Sequence, residues 1–195
     1  MRAATLMLAT AGILLAAGCG GSKTVTVTRT QTRTRTVTTT RTVTAPPSAA
    51  ASQPCTGSML HGTFRVVEGS AGAGQISYAL TLTNASRQAC FVSGLPVVQL
   101  LSASGAALPT NVSAAHPGEQ TAAKVSLAPG GSATAEARFS PDVPGVGDQQ
   151  GGQCQPAAAL MRVTATGGGT LVVPLQPPTS VCEKGSLRFD VFTGA

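Results

Sequence analysis

Three stretches of the chain alternate between large apolar and smaller or polar side chains. Ile76, Tyr78, Leu80 and Leu82 interleave with Ser77, Ala79, Thr81 and Thr83. Ala133, Ala135, Ala137 and Phe139 interleave with Thr134, Glu136 and Arg138; Leu187, Phe189 and Val191 interleave with Arg188 and Asp190. A period of two sends alternate side chains to opposite faces, so each stretch predicts a half-buried strand with one wet face. Between such segments Gly and Pro recur, which marks turns. Leu60 to Glu68 and Gln75 to Asn84 flank a Gly-Ser-Ala-Gly-Ala-Gly run and predict a hairpin. Thr121 to Ala128 and Ser132 to Ser140 flank Pro129-Gly130-Gly131, a second hairpin with residues suited to a type II turn. Ala158 to Thr166 and Thr170 to Leu175 flank Gly167-Gly168-Gly169, a third. With Pro96 to Ser102 and the last strand, residues 55–195 predict an all-β antiparallel sandwich of eight or nine strands. Segments 103–120 and 141–157 read as irregular.

The first 54 residues have another pattern. Arg2 precedes a 15-residue apolar run from Ala3 to Ala17, too short for a comfortable bilayer span of about 20 residues. Small residues then lead to Cys19, as in a secretory signal. Ala-Ala-Gly directly before Cys19 resembles the lipobox of bacterial lipoproteins, with residues 1–18 as the signal peptide. In such proteins the chain is cut before the cysteine and its sulfur is diacylated. Lipoboxes usually carry Leu three residues before the cysteine; here Ala16 holds that place and Leu15 stands one step earlier. The alternatives are an ordinary secretory signal with an incidental cysteine, or an uncleaved membrane anchor. Two acyl chains would give stable anchoring, where one chain binds only marginally.

From Thr24 to Thr44 every even position is Thr, eleven in all, with Val, Arg and Gln at most odd positions. Neither face of such a strand could bury enough apolar surface to offset ordering the chain. Residues 19–54 therefore read as a lipidated cysteine followed by a disordered stalk, ending in a Pro- and Ala-rich stretch. As a flexible coil, residues 20–54 would span roughly 30–35 Å, and about 115 Å fully extended.

Charge sharpens this division. The chain carries a net +6 and a pI near 9.6. Arg2 and five stalk residues (Lys23, Arg29, Arg33, Arg35 and Arg41) supply the excess, because the domain holds seven basic and seven acidic residues. A neutral domain gives no basic footprint for nucleic acid. The stalk arginines could instead meet anionic envelope polymers or lipid head groups, or simply solvate and extend the linker. Another envelope protein is a further partner the domain could meet.

Five cysteines are present: Cys19, Cys55, Cys90, Cys154 and Cys182. Four can pair in an oxidising compartment, in three ways. The predicted hairpins favour one. Cys55 and Cys90 bracket the first hairpin at its open end, and Cys154 and Cys182 bracket the third. Cys55–Cys90 and Cys154–Cys182 would each contribute roughly 3–4 kcal/mol on the chain-entropy account. The core needs them, since five Phe, one Tyr and no Trp bury little apolar area.

Several pieces together resemble the actinobacterial domain-of-unknown-function 4232 family of small secreted or lipid-anchored domains. They are Cys55, Leu82-Thr83-Asn84-Ala85-Ser86 leading to Cys90, and Gly94-Leu95-Pro96. Next come Leu127-Ala128-Pro129-Gly130-Gly131-Ser132-Ala133, Cys154 before Leu160-Met161-Arg162-Val163, and Val181-Cys182. The resemblance covers roughly residues 55–193 and implies an immunoglobulin-like sandwich outside the cell, without catalytic residues to carry over.

Catalytic patterns are thin. His61 and His116 are the only histidines, no Gly-x-Ser-x-Gly occurs, and the acids are scattered singly. Both histidines read as surface residues, and Arg162 and Arg188 as solvated charges. Gly145-Val146-Gly147 does not join a strand to a helix, so it is no phosphate loop. Asn84-Ala85-Ser86 and Asn111-Val112-Ser113 read as turn chemistry. No catalytic residue, metal site or cofactor is expected. The reading is a non-enzymatic cell-envelope lipoprotein, held at the extracytoplasmic face of the membrane through Cys19. The alternative is an envelope carrier of a ligand or of copper, using loops 103–120 and 141–157. For copper, Met59 and His61 would share a strand face, with Met161 and His116 as distant partners.

Overall fold

A computed structural model describes residues 53–118, 124–151 and 153–195. The signal peptide expected at 1–18, Cys19 and the expected stalk through residue 52 lie outside the described residues. Among the described residues no helix is long and apolar enough to cross a membrane.

The domain is all-β. Its strands are β1 (Leu60–Val66), β2 (Ile76–Asn84), β3 (Cys90–Val92), β4 (Val97–Leu101), β5 (Asn111–Ala114) and β6 (Val125–Leu127). Then follow β7 (Ser132–Phe139), β8 (Ala158–Thr164), β9 (Thr170–Thr179), β10 (Ser186–Phe189) and β11 (Thr193–Gly194). One sheet runs β4-β8-β9-β1-β2-β7-β10-β5, with β11 also on β7, and curls into a nearly closed, barrel-like wall. β3 and β6 form a separate pair.

The first and third hairpins form as the alternation predicts. β1 and β2 pair from Leu60↔Asn84 to Val66↔Tyr78, and β8 pairs with β9. The second does not. The turn at Ala128–Gly131 closes with a Gly131 N–H to Ala128 carbonyl bond of 2.8 Å, and Gly130 takes the left-handed φ of +79° that a type II turn requires. Yet β6 leaves that turn to pair with β3, while β7 pairs with β2. Buried Asn84 explains the divergence. Its backbone N–H donates to the Gly131 carbonyl and its carbonyl accepts from Gly130 N–H, so β2 occupies the edge that β6 would have taken.

Two further expectations are corrected. The sheet is mixed, not antiparallel: β1 with β9, and β5 with β10, run parallel. Among the described residues the strands number eleven, not eight or nine, because β3, β5 and β11 are two to four residues long and too short to show a period. β5 lies inside the segment expected to be irregular.

The core follows the alternation closely. Ala133, Ala135 and Ala137 on β7 stand opposite Leu82, Leu80 and Tyr78 on β2, and all six are buried. Each small residue faces a large one, the alternation that lets facing side chains interdigitate. Phe64, Tyr78, Phe139 and Phe189 form a chain of ring contacts with centroids 5.2–6.1 Å apart. The Tyr78 hydroxyl donates to the Pro177 carbonyl at 2.9 Å, and burial pushes the phenol's pKa up.

Both disulfides take the pairing read from the hairpins: Cys55–Cys90 and Cys154–Cys182. The first ties Gln53–Cys55 to β3, where Cys55 N–H donates to the Phe91 carbonyl. The second anchors an unusual turn. Glu183, Lys184 and Gly185 all take positive φ. Such a left-handed run aims successive N–H groups at one point, a concavity suited to an anion. Asp148 fills it. Its carboxylate accepts from Glu183 N–H, from Lys184 N–H at 2.9 Å and from Gly145 N–H at 2.9 Å. These bonds, that to Gly145 foremost, lower its pKa to about 2.

Candidate functional site

The wet face of β2, β7, β10 and β5 gathers charge. Register sets the arrangement. Ser77 stands opposite Arg138, Arg138 opposite Arg188, and Arg188 opposite Ser113, so one row crosses all four strands. The next row holds Ala79 and Glu136, and Asp190 joins it through a bond from its N–H to the Glu136 carbonyl at 2.8 Å. The third row holds Thr81, Thr134 and Thr193.

His116 reaches this face from the end of β5. Ala115 N–H donates to the Phe189 carbonyl, which fastens the segment beside β10. His116 Nδ1 lies 3.3 Å from Asp190 Oδ1. That is ion-pair distance without hydrogen-bond geometry, so Asp190 Oδ1 is buried with no hydrogen-bond donor. Two adjoining concavities of about 380 and 290 Å³ share His116, Glu136 and Asp190. The second also takes in Ser77, Arg138 and Arg188.

The arginine pair carries a cost. Like charges directly across two strands repel, and adjacent strands bring such residues to about 5 Å. Among the described residues neither guanidinium has a hydrogen bond or an ion pair. The groove thus holds fixed positive charge without an ion pair among the described residues, beside an acidic row of exposed Glu136 and half-exposed Asp190, whose Oδ1 lies covered against His116.

Other sequence candidates fare differently. His61 is exposed on β1, which three strands separate from β5 along the sheet. The two histidines are therefore not brought together. The copper set is not assembled either, which corrects that expectation. Met59 lies in a 3₁₀ turn before β1 and packs on the core, so it does not share the strand face of His61. Met161 is fully buried in the core. Asp148, Cys154 and Cys182 are the one cluster of metal-ligating types among the described residues. Its sulfurs are bonded to each other and its carboxylate is filled by backbone donors, so a disulfide clasp accounts for it.

Asn84 is structural, as the turn reading expects. It is fully buried; Nδ2 donates to the carbonyls of Gln88 at 2.7 Å and Leu127 at 3.0 Å, and Oδ1 accepts from Ser86 N–H and lies 2.7 Å from Ser86 Oγ. Sequence reasoning passed over Arg138, Glu136 and Asp190 as members of a site and took Arg188 and His116 for ordinary surface residues. Alternation does place all but His116 on wet faces, but only register shows that they meet.

Comparison with curated proteins and with solved structures yields no match. A protein-family profile does match, described as "Domain of unknown function (DUF4232)", across residues 55–193. The chain belongs to the DUF4232 family.

Proposed function

We propose that the protein is a non-enzymatic lipoprotein of the cell envelope, anchored through Cys19, whose stalk holds a disulfide-stapled domain outside the membrane. One observation carries this reading: Cys55, Cys90, Cys154 and Cys182 take each other up completely, leaving Cys19 as the odd cysteine directly after a signal-like segment. Disulfides persist in oxidising compartments, which fits export. The parallel junction of β1 and β9 spans only two residue pairs. It supports reading the wall as two facing sheets, β4-β8-β9 and β1-β2-β7-β10-β5, an immunoglobulin-like sandwich. Detergent-phase partitioning after membrane fractionation tests the anchor. Cys19→Ser should move the protein to the aqueous phase; a variant that stays with the wild type in the detergent phase overturns it.

A second reading, an envelope ligand carrier, is favoured by the groove between Arg138, Arg188, His116 and Asp190. It moves the ligand from the loops to the sheet face, with His116 as the contribution of the 103–120 segment.

A further inference from the structure

We infer that the groove binds a small zwitterion, an α-amino acid, with its carboxylate on Arg138 and Arg188 and its ammonium on Asp190 and Glu136. This rests on the ligand-carrier reading and names its ligand class. The two poles are set by the fold. Arg138 and Glu136 are two positions apart on one strand, so their Cα atoms are roughly 7 Å apart. Arg188 and Asp190 repeat that spacing one strand over, in register with Arg138 and joined by backbone to Glu136. A carboxylate and an ammonium on one carbon, each held by a hydrogen bond of about 2.9 Å, bridge such a distance.

Charge selects this class over its neighbours. A simple anion would gain Arg138 and Arg188 but meet Glu136 and Asp190 in the same concavity. A simple cation would meet the reverse. A zwitterion meets both rows at once: it separates the cross-strand guanidiniums with a shared oxyanion and brings donors to Glu136 and the accessible side of Asp190. Bidentate guanidinium–carboxylate geometry suits Arg here better than Lys would. Ser77, only 6% exposed, adds a hydroxyl at the floor beside Arg138. A cavity of about 290 Å³ has ample room for a small amino acid.

Titration of the full-length ¹⁵N-labelled chain, followed by amide NMR shifts, tests the assignment with three probes. Alanine carries both charges, N-acetylalanine only the carboxylate and alaninamide only the ammonium. The expected result is saturable shifts at 136–138 and 188–190 with alanine. The two capped probes should bind roughly tenfold or more weakly, since each loses a charge-assisted contact. Arg138→Gln with Arg188→Gln, and separately Asp190→Asn, should each abolish saturation, while Arg162→Gln on β8 leaves it unchanged. These side chains are exposed or half-exposed, and an unchanged amide spectrum elsewhere reports that the variants fold. No saturable shift with alanine overturns the proposal. So does equal binding of the three probes, or full binding by the double arginine variant. Any of these leaves the Cys19 anchor, tested by fractionation, untouched.

Discussion

Replacing Asn84 probes the joint on which both parts of the β structure depend. Its side chain is fully buried and makes four contacts: two donated to the Gln88 and Leu127 carbonyls, and two at Oδ1 from Ser86. Asn84→Ala strips the donor from the Leu127 carbonyl, a buried acceptor, and from the partly buried Gln88 carbonyl. An orphaned buried group costs about 1–3 kcal/mol. With the void added, a loss of roughly 3 kcal/mol is expected, a large share of the ~5–15 kcal/mol that keeps a domain folded. At a urea slope of about 1.5 kcal/mol/M, the midpoint should fall by roughly 2 M with slope unchanged. Asn84→Asp adds a sign to the test. It puts a carboxylate oxygen against two carbonyls, so the folded state favours the protonated acid and raises its pKa above the unfolded value near ~3.9. The penalty is therefore smallest below about pH 4 and grows as pH rises past it. Equilibrium urea unfolding under non-reducing conditions, at pH 4 and pH 7, measures both. The reasoning is refuted if Asn84→Ala shifts the midpoint by less than about 0.5 M, or if Asn84→Asp equals the wild type at pH 7.

Three further outcomes are expected. Asp148 has its folded pKa lowered to about 2 by backbone donors, so its contribution is present above its ordinary value of 3.8 and is lost as pH falls from there through about 2; Asp148→Asn should flatten that acid limb in a thermal-melt pH series and speed amide exchange at Glu183 and Lys184. Replacing Cys154 and Cys182 together by Ser should cost roughly 3–4 kcal/mol in urea unfolding, for a closed loop of sequence separation 28. Gly185→Ala should destabilise by roughly 2–4 kcal/mol, because φ is +76° and a Cβ there would lie 2.5 Å from the Pro109 carbonyl carbon; calorimetry would detect the fall in melting temperature.

What the sequence made legible was whatever depends on period. Ala133, Ala135, Ala137, Tyr78, Leu80 and Leu82 all fall on the core side, where alternation puts them. The disulfides followed because each predicted hairpin brings its flanking cysteines to one end. The failures lie where pairing is decided by a distant residue. Pro129-Gly130-Gly131 forms the turn its residues predict, yet the strand before it pairs with β3 because Asn84 claims the turn's backbone. The parallel partners of β1 and β10 come from far along the chain, and no local pattern announces them.

The groove is hidden from local pattern for the same reason. One arginine on a wet strand face is a solvated charge, and the sequence offers several. Arg162 remains one, opposite Gln99 and Val172, with Val172 itself exposed. Arg138 and Arg188 differ only because β7 and β10 place them side by side, beside an acid whose Oδ1 has no donor. A sheet selected for stability alone has an inexpensive remedy, since exchanging either arginine for Thr or Glu would remove the repulsion without touching the core. Arg138 lies between Ala137 and Phe139, and Arg188 between Leu187 and Phe189, all four buried. Their backbone register is thus fixed by packing, while the identity of the outward side chains is not. Physical necessity explains the alternation but not the choice of two arginines, and a ligand that needs both supplies the missing reason.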